Sequence, residues 1–495
     1  MGAQPSKEAP SQLDEKQAAA AELQIASAKE MYLTQSLATL HLDDDQVKAR
    51  YAQVSSESLR KFSEDFWQDP KNRLALNAVR DNNPTDVVVN HASNLKNDPI
   101  FNVKLELEGA ATNQRSSGRC WIFAGTNVLR RAVIQKYKLN DDFELSQSYL
   151  FFYDKFEKAN WFLENQIDLA HEDVNDRVVQ YLLQSPVGDG GQWDMFVNLV
   201  KKYGVVPKSA YPESFSSSNS SRLNWLVTVK LREFATRIRK AVQDGVGKST
   251  VRVLKEDMLE EIYRIMVICL GEPPKKFDWE TKDKNDKYVG VRNLTPKRFF
   301  EEIVQYPIEN TLSLINDPRN PTSRLYTVDR LGNVVGGSPI RYVNVDISTI
   351  KQLAINVLKS GTPVWFGCDV GQYSSSKVAV MDTKIYDYTL AFNVDFKLTK
   401  EQRLLYGESQ MTHAMVFTGV HLDEKGAAVR WRVENSWGAD SGDKGYWVMS
   451  DAWFSEFVYQ VVLEKSAIPR KLVALLDTEP VVLPAYDPMG ALASV

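Results

Sequence analysis

Thiol acyl chemistry needs a cysteine, a base and a group to orient the base, and this chain offers Cys120, His413 and Asn435. Cys120 follows the polar loop Asn113-Gln114-Arg115-Ser116-Ser117-Gly118-Arg119 and precedes the apolar run Trp121-Ile122-Phe123-Ala124. A cysteine in the first turn of a helix sits at the positive end of the peptide dipole, and an imidazolium partner lowers its pKa further, which favours the nucleophilic thiolate. Gln114 could place its side-chain amide beside the sulfur and, with the Cys120 N–H, form a two-donor oxyanion hole. A cysteine taken at random is more often a small buried hydrophobe. Core helices do not usually begin Gln-Arg-Ser-Ser-Gly-Arg, and that context singles Cys120 out.

Histidine is the base whose ordinary pKa suits a thiol near neutrality, and the choice is among His41, His91, His171, His413 and His421. His413 heads the small and apolar run Ala414-Met415-Val416-Phe417-Thr418-Gly419-Val420, which predicts a strand. Asn435 follows another strand in Val433-Glu434-Asn435-Ser436-Trp437-Gly438. An Asn amide oxygen can accept the imidazole N–H and fix its tautomer, and Trp437 could roof that bond. In Asp189-Gly190-Gly191-Gln192-Trp193 the paired glycines permit close backbone approach, so Gly190 and Gly191 are substrate-binding candidates. A simple turn before the helix predicted over 193–203 is the alternative.

The elements that must position these groups follow from periodicity. A helix is predicted from Cys120 to about Lys138, another with Ser146 as N-cap, and others at about 227–243, 250–270 and 347–359. A strand pair is predicted over about 277–291, a helix start at Thr295-Pro296, and strands at 342–345 and 363–367. The serine-rich segment 214–221 reads as a polar linker. Residues 1–28 read as a polar tail, with helices at about 29–40 and 44–63 after it.

A chain of 495 residues with 43% hydrophobic and 25% charged residues is an ordinary globular composition, and its net charge of -4 implies no global attraction to nucleic acid or anionic membrane. Cys120, Cys269 and Cys368 cannot form a disulfide framework in a chain this long, which points to a reducing compartment, the cytoplasm. No apolar run reaches the ~18 residues needed to span a bilayer, and the N-terminus lacks the apolar core of a signal peptide. Met1-Gly2-Ala3-Gln4-Pro5-Ser6 fits the loose myristoylation pattern at Gly2 and fits a plain tail equally well. The basic residues Lys230, Arg232, Arg237, Arg239 and Lys240 read as a solvated helix face, and as only weak support for nucleic-acid binding. Gly247-Lys248-Ser249 lacks the first glycine of a phosphate loop. Nothing calls for a metal or a cofactor.

Gln114 through Trp121, His413 before its strand, and Asn435-Ser436-Trp437-Gly438 followed by Gly445-Tyr446-Trp447 together resemble the papain-like cysteine peptidases. Ser117 stands where secreted members carry a second cysteine. About 290 residues separate Cys120 from His413, against the ~130 to 150 usual for the superfamily. With a long N-terminal extension, an insertion and the closing segment Leu483-Pro484-Ala485-Tyr486-Asp487-Pro488-Met489-Gly490, the chain resembles the bleomycin hydrolase branch over residues 60–495. The resemblance implies an α+β, papain-like two-lobed fold, with a helical lobe and a β-barrel-like lobe. It divides the chain into a tail (1–28), an N-terminal extension (29–110), a helical lobe (111–213), a mostly helical inserted subdomain (214–340), a β lobe (341–470) and a C-terminal arm (471–495) reaching the cleft. It further implies a homohexamer and an arm whose terminal carboxylate, on Val495, pairs with the free amine of a peptide substrate. The chain runs one residue beyond the branch's pattern, which leaves open self-trimming or a shifted arm.

The function expected is that of a cysteine aminopeptidase of broad specificity acting through an acyl-enzyme on Cys120, bleomycin-type amides included by resemblance. Two alternatives stand beside it: a Cys-His-Asn acyltransferase or thioester hydrolase, and a nucleic-acid-binding assembly with secondary peptidase activity.

Overall fold

The computed structural model describes residues 53–493. The tail, Gly2, the helix expected at 29–40, the first part (44–52) of that expected at 44–63, and Val495 lie outside the described residues. The chain divides into two compact units, 1–87 and 88–495. In the first, α1 (Ser56–Gln68) is capped by the Ser55 hydroxyl, which accepts from the Ser58 N–H, and α2 (Pro70–Val79) starts with proline at its first position behind an Asp69 cap. Leu59, Phe62 and Phe66 lie at helical spacing on α1 and are exposed.

The second unit begins with a difference from the expected extension to residue 110. Val103–Lys104 (β1) pairs antiparallel with the strand that carries His413, so residues 88–110 belong to the second unit. The helical layer follows. In α3 (Cys120–Tyr137) nearly every residue of the first three turns is buried, and the helix stops where Lys138 takes a left-handed conformation. Ser146 caps α4 (Gln147–Asp168), its hydroxyl accepting the Tyr149 N–H at 3.1 Å. Next come α5 (Arg177–Gln184) and α6 (Trp193–Tyr203), then α7 (Ser221–Gln243) and α8 (Lys248–Leu270), both of which pack on α4. A hairpin of β2 (Phe277–Lys282) and β3 (Tyr288–Leu294) sets Trp279 edge-on against Tyr137 at 5.1 Å.

These contacts change the reading of 214–340 as an inserted subdomain. Leu231, Phe234, Ile262 and Met266 share one hydrophobic cluster with Trp121, Phe151 and Trp193, so α7 and α8 are part of the helical lobe's own core. Thr311–Ile315 (β4) and Arg324–Val328 (β5) belong to the large sheet. The sheet therefore begins well before residue 340. Of the basic side chains of α7, Arg232, Arg237 and Lys240 are exposed, Arg232 donating to the carbonyls of Leu183 and Gln184 and Lys240 pairing with Asp244, whereas Arg239 is buried and donates to the carbonyls of Leu169 and Glu172.

The remaining strands are β6 (Tyr342–Asn344), β7 (Val364–Cys368), the short β8 (Ser374–Ser375) and β9 (Val380–Met381), β10 (His413–Leu422), β11 (Ala428–Glu434), β12 (Tyr446–Ser450), β13 (Val458–Glu464) and β14 (Val481–Leu483), with α9 (Ile347–Lys359) between β6 and β7. With β4, β5 and β1 they form one twelve-stranded sheet in the order β14-β5-β6-β4-β13-β7-β10-β11-β12-β9-β8, with β1 alongside β10. Its central strands are near-continuous apolar runs because both faces are covered. Phe366 and Phe417 stack at 3.7 Å between them. The register sets His413 opposite Cys368 and Val416 opposite Glu434, and so brings the start of β10 beside the end of β11. No helix among the described residues is long and apolar enough to cross a membrane.

Candidate active site

Two loops are pinned together to make the site. The Gln114 N–H donates to the Ser436 carbonyl at 2.8 Å, the Gly438 N–H donates to the Thr112 carbonyl at 2.9 Å, and the Ser436 hydroxyl donates to Gln114 Oε1 at 2.6 Å. The loop before Cys120 and the loop carrying Asn435 therefore hold fixed positions relative to each other. Cys120 is the first residue of α3, and its Sγ accepts the Ala414 N–H at 3.4 Å. That bond ties the sulfur to the head of β10, next to His413. The imidazole Nε2 lies 2.9 Å from Asn435 Oδ1, and the Trp437 ring covers the imidazole at 5.0 Å. With Nε2 directed to Asn435, Nδ1 is left to exchange a proton with the thiol.

Burial opposes the charge separation expected from sequence. It pushes the Cys120 thiol up to about 11, against the lowering hydrogen bonds from Ala414, Trp121 and its own N–H. It also pulls the His413 imidazole down to about 4, against the raising bond to Asn435. The expected lowering of the thiol by the helix start thus does not prevail over burial. The Cys120–His413 pair carries a single proton whether that proton sits on sulfur or on nitrogen, and the two groups titrate as a unit. If this pair carries the reaction, activity is lost on the acid side only when it takes up a second proton. The depressed imidazole sets that step, so the acid limb of kcat/KM should fall near pH 4, with a plateau above it. A limb near the ordinary imidazole pKa of ~6.5 would contradict this.

A cavity of about 570 Å³ opens over these groups, lined among others by Gln114, Cys120, Asp189, Ser220, His413 and Trp437. One Gln114 amide N–H is taken by the Ser117 carbonyl at 2.6 Å; the amide carries a second for a developing oxyanion. Gly190 and Gly191 are placed differently from expectation. Both are buried outside the cavity wall. The Gly190 carbonyl accepts Lys158 Nζ at 2.5 Å, and a Cβ on Gly191 would lie 2.5 Å from the Trp121 ring. The close approach that needs glycine at 191 is therefore that of an indole. Gly188, half-buried, stands at the cavity in their place.

Sequence reasoning also missed part of the wall. Ser220 and Asn224 reach the cavity from α7 and the turn before it, and the segment read as a polar linker packs on the cysteine loop, the Ser116 N–H donating to the Ser218 carbonyl at 3.0 Å. Among the described residues no His, Cys, Asp and Glu side chains group as a metal site.

Residues 53–490 match the Peptidase C1-like family. The chain is 44% identical over 452 residues to the bleomycin hydrolase of Rattus norvegicus, covering 89% of this chain and 99% of that protein. It is 43% identical over 443 residues to aminopeptidase C of Streptococcus thermophilus, with the same coverage of each. The crystal structure of PepW from Lactobacillus rhamnosis aligns with a TM-score of 0.87 at 46% identity, over 89% of this chain and 99% of that one. Sequence, fold and the cysteine-centred cleft lead to one place: the chain belongs to the Peptidase C1-like family and is a cysteine aminopeptidase of the bleomycin hydrolase and aminopeptidase C type.

Proposed function

We propose that Cys120 is the nucleophile, His413 the base and then the acid, Asn435 the residue that orients His413, and Gln114 with the Cys120 N–H the oxyanion hole. The observation that carries this reading is the continuous chain from Cys120 Sγ through the Ala414 N–H to His413 and Asn435 Oδ1 at the floor of one cleft. The thiol attacks the peptide carbonyl and passes its proton to His413, which returns it to the leaving amine. The acyl-thioester left on Cys120 is then hydrolysed by water, with His413 again taking and returning a proton.

The substrates are peptides with a free N-terminus, and the C-terminal arm enforces that choice. Supporting this, Met489 and Leu492 are fully buried in the hydrophobic cluster that holds Cys120 and Trp121. The Met489 carbonyl accepts from Gln192 Nε2 and from the Tyr342 hydroxyl, each at 3.4 Å. The arm is anchored upstream by Asp487, whose Oδ1 accepts Arg319 Nη2 at 2.8 Å. The terminal carboxylate, on Val495 or after trimming, pairs with the substrate's amine. Bleomycin-type amides enter the substrate range from the names of the relatives. A cytoplasmic homohexamer is the assembly that this reading carries with it.

Deleting residues 491–495 tests the arm. The truncated enzyme should gain cleavage of N-blocked peptides and internal bonds while keeping its thiol-dependent turnover. An unchanged product pattern on free and N-blocked peptides would remove the arm from the proposal.

A further inference from the structure

The carboxylate of Asp189 is the most heavily engaged group in the cleft, and the chemistry above leaves it without a role. It is 5% exposed. Its Oδ2 accepts the Gly118 N–H at 2.9 Å and the Ser220 hydroxyl; its Oδ1 accepts Asn224 Nδ2 at 2.7 Å and meets Lys155 Nζ at 2.5 Å. The residue's own carbonyl accepts Trp121 Nε1 at 2.8 Å. Gly118 and Trp121 flank Cys120 on either side. One residue thus grips the nucleophile's loop before the sulfur and its helix just after it.

The grip is itself fixed from behind. On α4, Lys155 donates to the Val187 carbonyl, and Lys158 donates to the carbonyls of Gly188 and Gly190 while pairing with Asp154. Two buried lysines one turn apart therefore hold the loop that carries Asp189. From the other side α7 contributes Asn224, which explains why a helix outside the papain-like pattern reaches the cleft.

We propose that Asp189 is a positioning residue for the reaction: by holding Gly118 and Trp121 it fixes Cys120 and the oxyanion-hole backbone in attacking position. This rests on Cys120 being the nucleophile. Burial by itself raises the Asp189 carboxyl, but Lys155, then Ser220 and the Gly118 N–H, outweigh it and keep the group ionised, well below the usual carboxylate range. Its charge in turn adds to the burial that holds the thiol up. The other charged or titratable groups around it are Lys155, Lys158 and Asp154 on α4, Arg119 with its partner Glu213, and the Cys120–His413 pair.

Asp189→Ala in the full chain should lower kcat by about 100-fold or more with KM changed less than about threefold, as expected of lost orientation. Asp189→Asn keeps an acceptor for Gly118 and should recover about tenfold of that loss. It should also move the acid limb of kcat/KM to lower pH, because removing a negative charge disfavours the second proton on the Cys120–His413 pair. A folded Asp189→Ala enzyme with kcat within threefold of the parent would overturn the proposal, as would an equal loss in both variants with an unmoved acid limb. Should Asp189→Ala not fold, Ser220→Ala with Asn224→Ala removes two of the donors: about a fivefold fall in kcat is expected, and an unchanged kcat overturns the proposal. Cys120→Ala is run alongside. Turnover persisting there removes the nucleophile assignment, whereas a silent Cys120→Ala beside a fully active Asp189→Ala removes only the positioning role.

Discussion

Cys120→Ala is expected to lower kcat/KM by at least about 10⁵-fold, because in the proposed mechanism the sulfur forms the bond that divides one difficult hydrolysis into two easier steps. The fold should survive. Only a sulfur is removed, from a helix start whose other contacts remain, and Trp121, Ile122 and Phe123 are all fully buried. The stability change should stay near 1 kcal/mol, within the range of a small cavity. Turnover of aminoacyl fluorophores together with thermal melting separates the two effects. Substantial residual turnover would place the nucleophile elsewhere.

Arg130→Met is expected to lower stability by about 3–5 kcal/mol, the range for breaking one partner of a buried ion pair. Arg130 Nη2 lies 2.7 Å from Glu434 Oε1, and the two side chains are 1% and 3% exposed. The same nitrogen donates to the Ala110 carbonyl at 2.7 Å. Gly109 beside it leaves the room: a Cβ there would lie 2.4 Å from that nitrogen. The pair joins α3, which begins at Cys120, to the end of β11, one residue before Asn435.

The sign of the pH dependence follows from Glu434. Burial already raises its carboxyl, and Arg130 and Arg131 oppose the rise. In Arg130→Met the folded-state pKa climbs further above the unfolded one. The folded state then binds a proton that the unfolded state does not, so stability falls as pH rises through that interval and returns as pH drops. Urea unfolding should show a smaller deficit near pH 5 than near neutrality. Adding Glu434→Leu should recover most of the loss, since replacing both partners of a buried pair by apolar groups is often neutral. A deficit independent of pH would show that the carboxylate's charge is not its cause.

How much of this was legible in the sequence depended on whether a residue's role has a local signature. Cys120, His413 and Asn435 each stand at the head or foot of a regular element, and the elements themselves, such as Trp193–Tyr203 and Ile347–Lys359, showed in periodicity and caps. The glycine pair carried a local signal with two causes. Close approach of a ligand and close approach of an indole demand the same residue, and nothing in Asp189-Gly190-Gly191 distinguishes them. Asp189 itself was passed over because its partners, Lys155, Ser220 and Asn224, lie far from it in sequence and a buried polar network has no period. β4 and β5 were read as part of an insertion for a related reason. They are short and separated by a connection containing Asp317-Pro318 and Pro321, and their membership of the sheet is decided by strands distant in sequence: β4 pairs with β13, Ile315 opposite Gln460, and β5 pairs with β6 and β14. The serines of 214–221 looked like a linker because caps and linkers draw on the same residues. Here Ser214 and Ser217 cap each other's backbone.

The most direct measurement is mass spectrometry of the intact enzyme, acid-quenched during turnover of a peptide with a free N-terminus and then digested. An aminoacyl increment matching the substrate's first residue is expected on the peptide containing Cys120, absent from Cys120→Ala and absent when the substrate is N-blocked. Turnover with no adduct under conditions that trap thioesters, or an adduct on any other residue, would contradict acyl transfer through Cys120.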